Sequence, residues 1–213
     1  NNQSLGIDDD DYAYTSWDTG SVTNIGAMIS NAQAFNNGGQ PLTSWDTSSV
    51  TNLKAIFSDA RLFDQDISTW NTSKVTDMEG AFAGGSSVGV PVIFNQDIGT
   101  KYRKADGTLT NNQSLGIDDD DYAYTSWDVS NVINMSAMFA RNNNFDQDIS
   151  SWNTSAVTRM NDMFISSLAF NQDISSWDTG NVTNMSRMFY DTELFNNGGV
   201  ALDWADISSL NLV

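Results

Sequence analysis

The chain has no cysteine and no histidine. Without cysteine it forms no disulfide and offers no thiolate to a metal, although this alone assigns no compartment. Without histidine it lacks the commonest general base and the commonest zinc ligand. It is poor in positive charge: 9 Lys plus Arg stand against 27 Asp plus Glu, a net charge of −18. Such a surface repels nucleic acid and anionic membranes and attracts cations and basic partners. No uninterrupted apolar run is long enough to span a bilayer.

What is present repeats on two scales. Residues 1–18 return letter for letter at 111–128, a spacing of 110. Inside each copy a finer period of about 25 residues reads W-[DN]-T-S-x-V-T-[ND]-M-x-x-M-F. Trp stands at 17, 45, 70, 127, 152, 177 and 204, at spacings of 28, 25, 57, 25, 25 and 27. Five residues after the first six comes Val, then Ile25, Leu53, Met78, Met135, Met160 or Met185, and four further on Ile29, Phe57, Phe82, Phe139, Phe164 or Phe189. Offsets of three and four predict one apolar face of a short helix. The residue before that helix is Asn24, Asn52, Asp77, Asn134, Arg159 or Asn184, which reads as an N-cap in five of the six copies.

The second half of the unit is F-[ND]-Q-D-I-[SG]-[ST]-W, at Phe63–Trp70, Phe145–Trp152 and Phe170–Trp177. A broken copy starts at Phe94 and has Lys101 where Trp is expected. This segment predicts a short strand, and stacked copies predict a parallel sheet with one strand per coil. The fold expectation is therefore an α/β solenoid of the leucine-rich-repeat type, with coils of about 25 residues, one short parallel strand and one short helix each. It is read as a single repeat domain over 1–213 with superrepeats 1–110 and 111–213 and acidic insertions at 1–16 and 101–124. The 57-residue Trp spacing reads as one ordinary coil plus a coil carrying a loop, and Phe35–Gly39 and Phe195–Gly199 read as longer turns. Because the internal copy of residues 1–18 is preceded by more sequence, the chain reads as a piece of a longer protein.

The units V-x-x-M-x-x-M-F-x-x-x-x-x-F-N-Q-D-I-S-S-W-D-T resemble the BspA-like leucine-rich-repeat surface proteins, a family first grouped as a domain of unknown function. The resemblance covers nearly the whole chain apart from residues 1–16 and roughly 101–124. It implies a leucine-rich-repeat-like α/β solenoid at the cell surface, used in adhesion to host or neighbouring cells or matrix, and it carries no catalytic residues. The functional expectation is a non-enzymatic extracellular module for adhesion or surface recognition, with a protein or glycan on another cell or matrix and neighbouring repeats of the same longer chain as partners. Nucleic acid and direct membrane insertion are not expected. A structural spacer or filament subunit, stiffened by calcium, is the alternative.

No cofactor is required by this pattern, but Ca²⁺ is a candidate. Asp8, Asp9, Asp10 and Asp11 and their copies Asp118, Asp119, Asp120 and Asp121 are the candidate metal ligands. Adjacent carboxylates repel unless a cation binds them, and oxygen ligands suit calcium; the run lacks the spacing of an EF-hand loop, and a solvated acidic loop is the competing reading. The recurring Asp66, Asp97, Asp148 and Asp173 and the residues after Trp read as caps of local backbone turns. Thr23, Thr51, Thr76, Thr158 and Thr183 form a row interrupted by Ile133, read as capping or local turn bonding, with an ice-type ordered surface as the alternative. Calcium at the acidic runs is tested by melting. Free calcium at about a hundredfold over its dissociation constant adds roughly 2.7 kcal/mol and raises Tm by about 5–10 °C over chelator. An unchanged Tm leaves the solvated loop.

Overall fold

In a computed structural model the described residues are 18–85, 91–109 and 122–202. Six repeat units lie one upon another, joined through single-residue parallel bridges Asn24↔Asn52, Asn52↔Asp77, Asp77↔Asn134, Asn134↔Arg159 and Arg159↔Asn184. The expected α/β solenoid with a helix and a parallel strand in every coil is overturned. Among the described residues there is no α-helix. The regular elements are two 3₁₀ turns, Asn37–Gly39 and Asn197–Gly199, and a two-stranded antiparallel sheet of β1 (Lys101–Arg103) and β2 (Tyr124–Ser126). Parallel pairing falls on the residue before the M-x-x-M-F block, Asn, Asp or Arg159, not on the F-N-Q-D-I segment.

The backbone of that block explains the difference. In the third unit the N–H groups of Met78, Gly80, Phe82 and Gly84 donate to the carbonyls of Asn134, Ser136, Met138 and Ala140 in the next unit, at 2.7–2.9 Å. The N–H groups between them turn back three residues: Ala81 to Met78 and Ala83 to Gly80, both 3.1 Å. Such alternation needs a left-handed residue two positions after Met, and it is found at Ala27, Ala55, Gly80, Ala137, Asp162 and Arg187, with φ of 54–61°. An α-helix keeps every N–H for its own carbonyls, and a left-handed residue every few positions excludes it. The side-chain offsets of three and four survive, because a string of tight turns also brings those residues to one side.

The residues expected to cap helices therefore open turns. Oδ1 of Asn24, Asn52, Asp77, Asn134 and Asn184 accepts from the N–H two residues on, at 2.8–3.0 Å, an Asx turn with no helix behind it. Arg159 cannot make this bond.

The core is a set of ring ladders. Phe57, Phe82, Phe139, Phe164 and Phe189 stack with centroids 5.5–5.8 Å apart. A second column runs through Phe35, Phe63, Phe94, Phe145, Phe170 and Phe195 at 5.9–6.2 Å. The columns meet within each unit, as at Phe164–Phe170, 3.9 Å. Tryptophans stack at Trp45–Trp70, Trp70–Trp127 and Trp152–Trp177, 5.9–6.3 Å, and the indole N–H groups of Trp70, Trp127, Trp152 and Trp177 each donate to a carbonyl one unit earlier.

The stacking of Trp70 directly on Trp127 corrects the reading of the 57-residue spacing as two coils. The bond from Met78 N–H to Asn134 O makes those units immediate neighbours, so a single coil, interrupted by the insertion, separates the two tryptophans. The chain leaves that coil at Thr100, runs through β1 and β2, and returns at Trp127, which takes the place left vacant at Lys101. The Phe35–Gly39 and Phe195–Gly199 segments do form turns, with Gly38, Gly39, Gly198 and Gly199 at φ of 61–84°. Among the described residues no helix is long and apolar enough to cross a membrane.

Phe164, with no solvent exposure, touches rings above, below and beside it. Phe164→Ala is expected to lower the unfolding free energy by about 3–5 kcal/mol, measured by chemical denaturation.

Candidate functional site: a cleft under the inserted segment

Most recurring polar residues are committed to holding the units. Oδ1 of Asp18, Asp46, Asn71, Asp128, Asn153 and Asp178 after Trp accepts from the N–H two residues on, and so does that of Asp66, Asp97, Asp148 and Asp173. These are the turn caps expected from sequence. The residue after the second Phe builds a side-chain ladder: Asp64, Asn95, Asp146 and Asn171 each accept from the backbone N–H of the matching residue in the next unit, at 2.8–3.0 Å. Gln147 and Gln172 brace it from the side. Oγ1 of Thr51, Thr76, Thr158 and Thr183 donates to the preceding unit's carbonyl, so the threonine row is an inter-unit seam.

The candidate metal ligands, Asp8–Asp11 and Asp118–Asp121, lie outside the described residues. Among the described residues no group of three or more carboxylates is placed to hold a metal ion.

A cleft of about 360 Å³ lies between the inserted segment and the stack. Its floor is the turns at 43–48 and 69–71, with Trp45, Asp46 and Asn71; its far wall is Ala105, Asp106, Gly107 and Tyr124. Sequence reasoning marked the insertion as acidic but missed the cleft. The signal available was Asp106-Gly107, a turn pair, together with an aromatic residue just before the chain rejoins the repeat.

Arg103 fixes that wall. It is 7% exposed, and its guanidinium donates to Ser126 Oγ (3.0 Å), to the Gly107 carbonyl (2.7 Å) and to the Ser68 carbonyl (3.0 Å). It thus joins β1, β2, the 104–108 turn and the stack. Gly107, at φ 85°, gives the turn its shape. The Tyr124 hydroxyl donates to the Thr69 carbonyl at 2.9 Å, a second tie between insertion and stack.

Both cleft carboxylates are held ionised. Hydrogen bonds from the Ser48 hydroxyl and N–H keep Asp46 below the usual carboxylate range, helped by Lys74. The N–H and hydroxyl of Thr108 do the same for Asp106. Burial pushes the Tyr124 phenol up against the opposing charge of Arg103, and the charges of Asp106 and Asp46 add to the rise, so it stays protonated. Asn71 Oδ1 accepts from Ser73 N–H and Oγ, which directs its amide nitrogen to other partners. The cleft is therefore lined by two ionised carboxylates and the Asn71 amide, while the hydroxyls of Thr47, Thr69 and Tyr124 already donate to backbone carbonyls.

This architecture defines a tandem-repeat protein whose units cannot complete their hydrogen bonding alone. The chain belongs to the family described as Mycoplasma protein of unknown function, DUF285, whose model matches residues 7–106 and again 104–211. No curated protein and no solved structure matches it.

Away from the cleft, the Arg61 guanidinium, 2.8 Å from Asp59, holds that buried carboxylate low, with Gly85 N–H and Gln33 contributing. A lowered folded pKa adds stability above the unfolded value of about 4, and that stability is lost as pH falls through the folded value. The melting temperature is therefore expected to fall below about pH 4. In Asp59→Asn, which starts less stable at neutral pH, that fall is shallower, as acid titration followed by circular dichroism would register.

Proposed function

We propose that this chain is a non-enzymatic recognition module of an extracellular, surface-displayed repeat protein, and that it binds a partner on another cell or on matrix. The observation that carries this reading is the division of labour in the side chains. The recurring residues pack the ladders or close turns, while the positions that differ between units are free to vary on the outside. Among these outer positions are exposed apolar groups such as Leu62, Ile133, Tyr190 and Leu194. The inserted cleft adds one local set of contacts to that repeated surface.

Three further points support it. The resemblance to the BspA-like surface proteins implies adhesion. The net charge of −18 disfavours nucleic acid and anionic membrane as partners. Among the described residues, the carboxylates whose acidity is clearly shifted, Asp46, Asp59, Glu79, Asp106 and Asp173, all titrate low. Hydrolysis of a glycoside needs one carboxylic acid raised and kept protonated, and the cleft pair lacks that asymmetry.

The spacer reading needs only the stack and gives the cleft no task. Binding separates the two. The purified chain is expected to bind cells or matrix saturably, with the isolated chain competing against itself. Absence of binding across cell, matrix and glycan surfaces favours the spacer, and a full-length product retained in the cytosol overturns surface display.

A further inference from the structure

We infer that Asn37 is a site of spontaneous deamidation, where the side-chain amide gives way to a carboxylate, and that Asn197, in the same local sequence, is shielded from it by the preceding unit. The chain has 15 glycines, and two of them, Gly38 and Gly198, follow asparagine. Both stand in the pentapeptide F-N-N-G-G, at 35–39 and 195–199. Glycine has no Cβ to crowd its nitrogen, so that nitrogen can approach the preceding side chain. The Gly38 nitrogen loses its proton and forms a bond to Asn37 Cγ. The bond from Cγ to Nδ2 breaks, and Nδ2 leaves with that proton as ammonia. Water then opens the cyclic imide at either carbonyl, which leaves aspartate or isoaspartate at 37. Water is the sole co-reactant.

In both turns the attacking N–H is engaged, Gly38 with Asn36 Oδ1 at 3.0 Å and Gly198 with Asn171 Oδ1 at 3.2 Å, so each turn opens before it reacts. What the opening breaks differs. At 35–39 the partners are local. Asn37 Nδ2 donates to the carbonyls of Gln40 at 2.9 Å and Pro41 at 3.5 Å, and Asn36 is exposed. No described atom lies within 4 Å of where a Cβ on Gly38 would stand. At 195–199 the preceding unit holds the turn. Asn197 is 2% exposed; it accepts from Ile174 N–H at 2.8 Å and donates to the Val200 carbonyl at 3.0 Å. Asn171 Oδ1 also accepts from Asn196 N–H at 2.8 Å, and a Cβ on Gly198 would meet Asp173 N at 3.4 Å. Opening this second turn strips the buried Ile174 N–H and Asn197 amide of their partners, which costs more than releasing exposed groups to water.

The product does not fit the turn it replaces. A carboxylate only accepts hydrogen bonds, so it is repelled by the Gln40 and Pro41 carbonyls that the amide had held. Isoaspartate also lengthens the backbone by a methylene. Leu42, whose N–H donates to the Asp66 carbonyl at 3.0 Å, follows directly, so the loosening falls on the joint between the first two described units.

The test incubates the full chain in mildly alkaline buffer and follows both pentapeptides by digestion and mass spectrometry, with aspartate and isoaspartate separated by chromatography. Both products are expected at 37, with conversion at Asn197 at least about tenfold slower. The same chain unfolded in guanidinium chloride is expected to convert the two sites at similar rates, because their local sequences are identical. Asn37→Gln should abolish the product at 37. Asn171→Ala removes the acceptor that holds Gly198 N–H and should speed conversion at Asn197 severalfold while Asn37 is unchanged; its melting temperature is checked so that the effect is read on a folded chain. The assignment is overturned if the folded chain shows no conversion at 37 while the unfolded chain does, or if the folded chain converts Asn197 as fast as Asn37. A difference between the sites that persists undiminished in guanidinium chloride also overturns it, since the fold would then not be its cause.

Discussion

The structure depends on how each M-x-x-M-F block shares out its backbone N–H groups. Every second one closes a tight turn within its own unit, and the others cross to the next unit. A lone unit would leave those crossing donors to water and would hold a left-handed alanine, aspartate or arginine with nothing to offset the strain. Such a residue costs about 1–2 kcal/mol. In the stack that cost is offset by bonds of 2.7–3.3 Å and by rings that continue the ladders above and below. Stability is therefore built between neighbours, as in other stacked-repeat proteins.

The same constraint explains the polar consensus. Backbone groups in the F-N-Q-D-I half make few regular bonds between units, so side chains do it: the Asn and Asp ladder at one position, the tryptophan indoles at another, the buried threonines after Trp at a third. Thr47, Thr72 and Thr154 each donate to a carbonyl of the following unit. A carboxylate found in every unit is in this fold a structural part, which leaves any unit-specific task to residues outside the consensus.

The insertion shows how much the stack tolerates. Between Thr100 and Trp127 the chain departs and returns with Trp127 stacked on Trp70, and both phenylalanine columns run on across it at Phe82–Phe139 and Phe94–Phe145. The departure point also decides where new chemistry goes. Arg103 reaches back to Ser68, and the 105–107 turn comes to face Trp45 and Asn71. Two acidic residues far apart in the chain, Asp46 and Asp106, thereby share one cleft.

The sequence by itself determined which side chains form the interior, where the turns are capped and where the repeat is interrupted. Each of these follows from residue type and spacing: Phe164 and Trp152 had to be buried, and Asp148 and Asp173 had to close turns. It did not determine the backbone of the M-x-x-M-F block. Offsets of three and four arise in a helix and equally in alternating tight turns, and only the hydrogen bonds to residues 24 to 56 positions away separate the two. The tertiary structure also decided that the long spacing is one coil and that the turns at 43–48 and 69–71 meet Ala105, Asp106, Gly107 and Tyr124. The physical reason is common to both: a local pattern records which way side chains face, whereas the partner of a backbone N–H, and the neighbour of an inserted loop, are fixed only when the units stack.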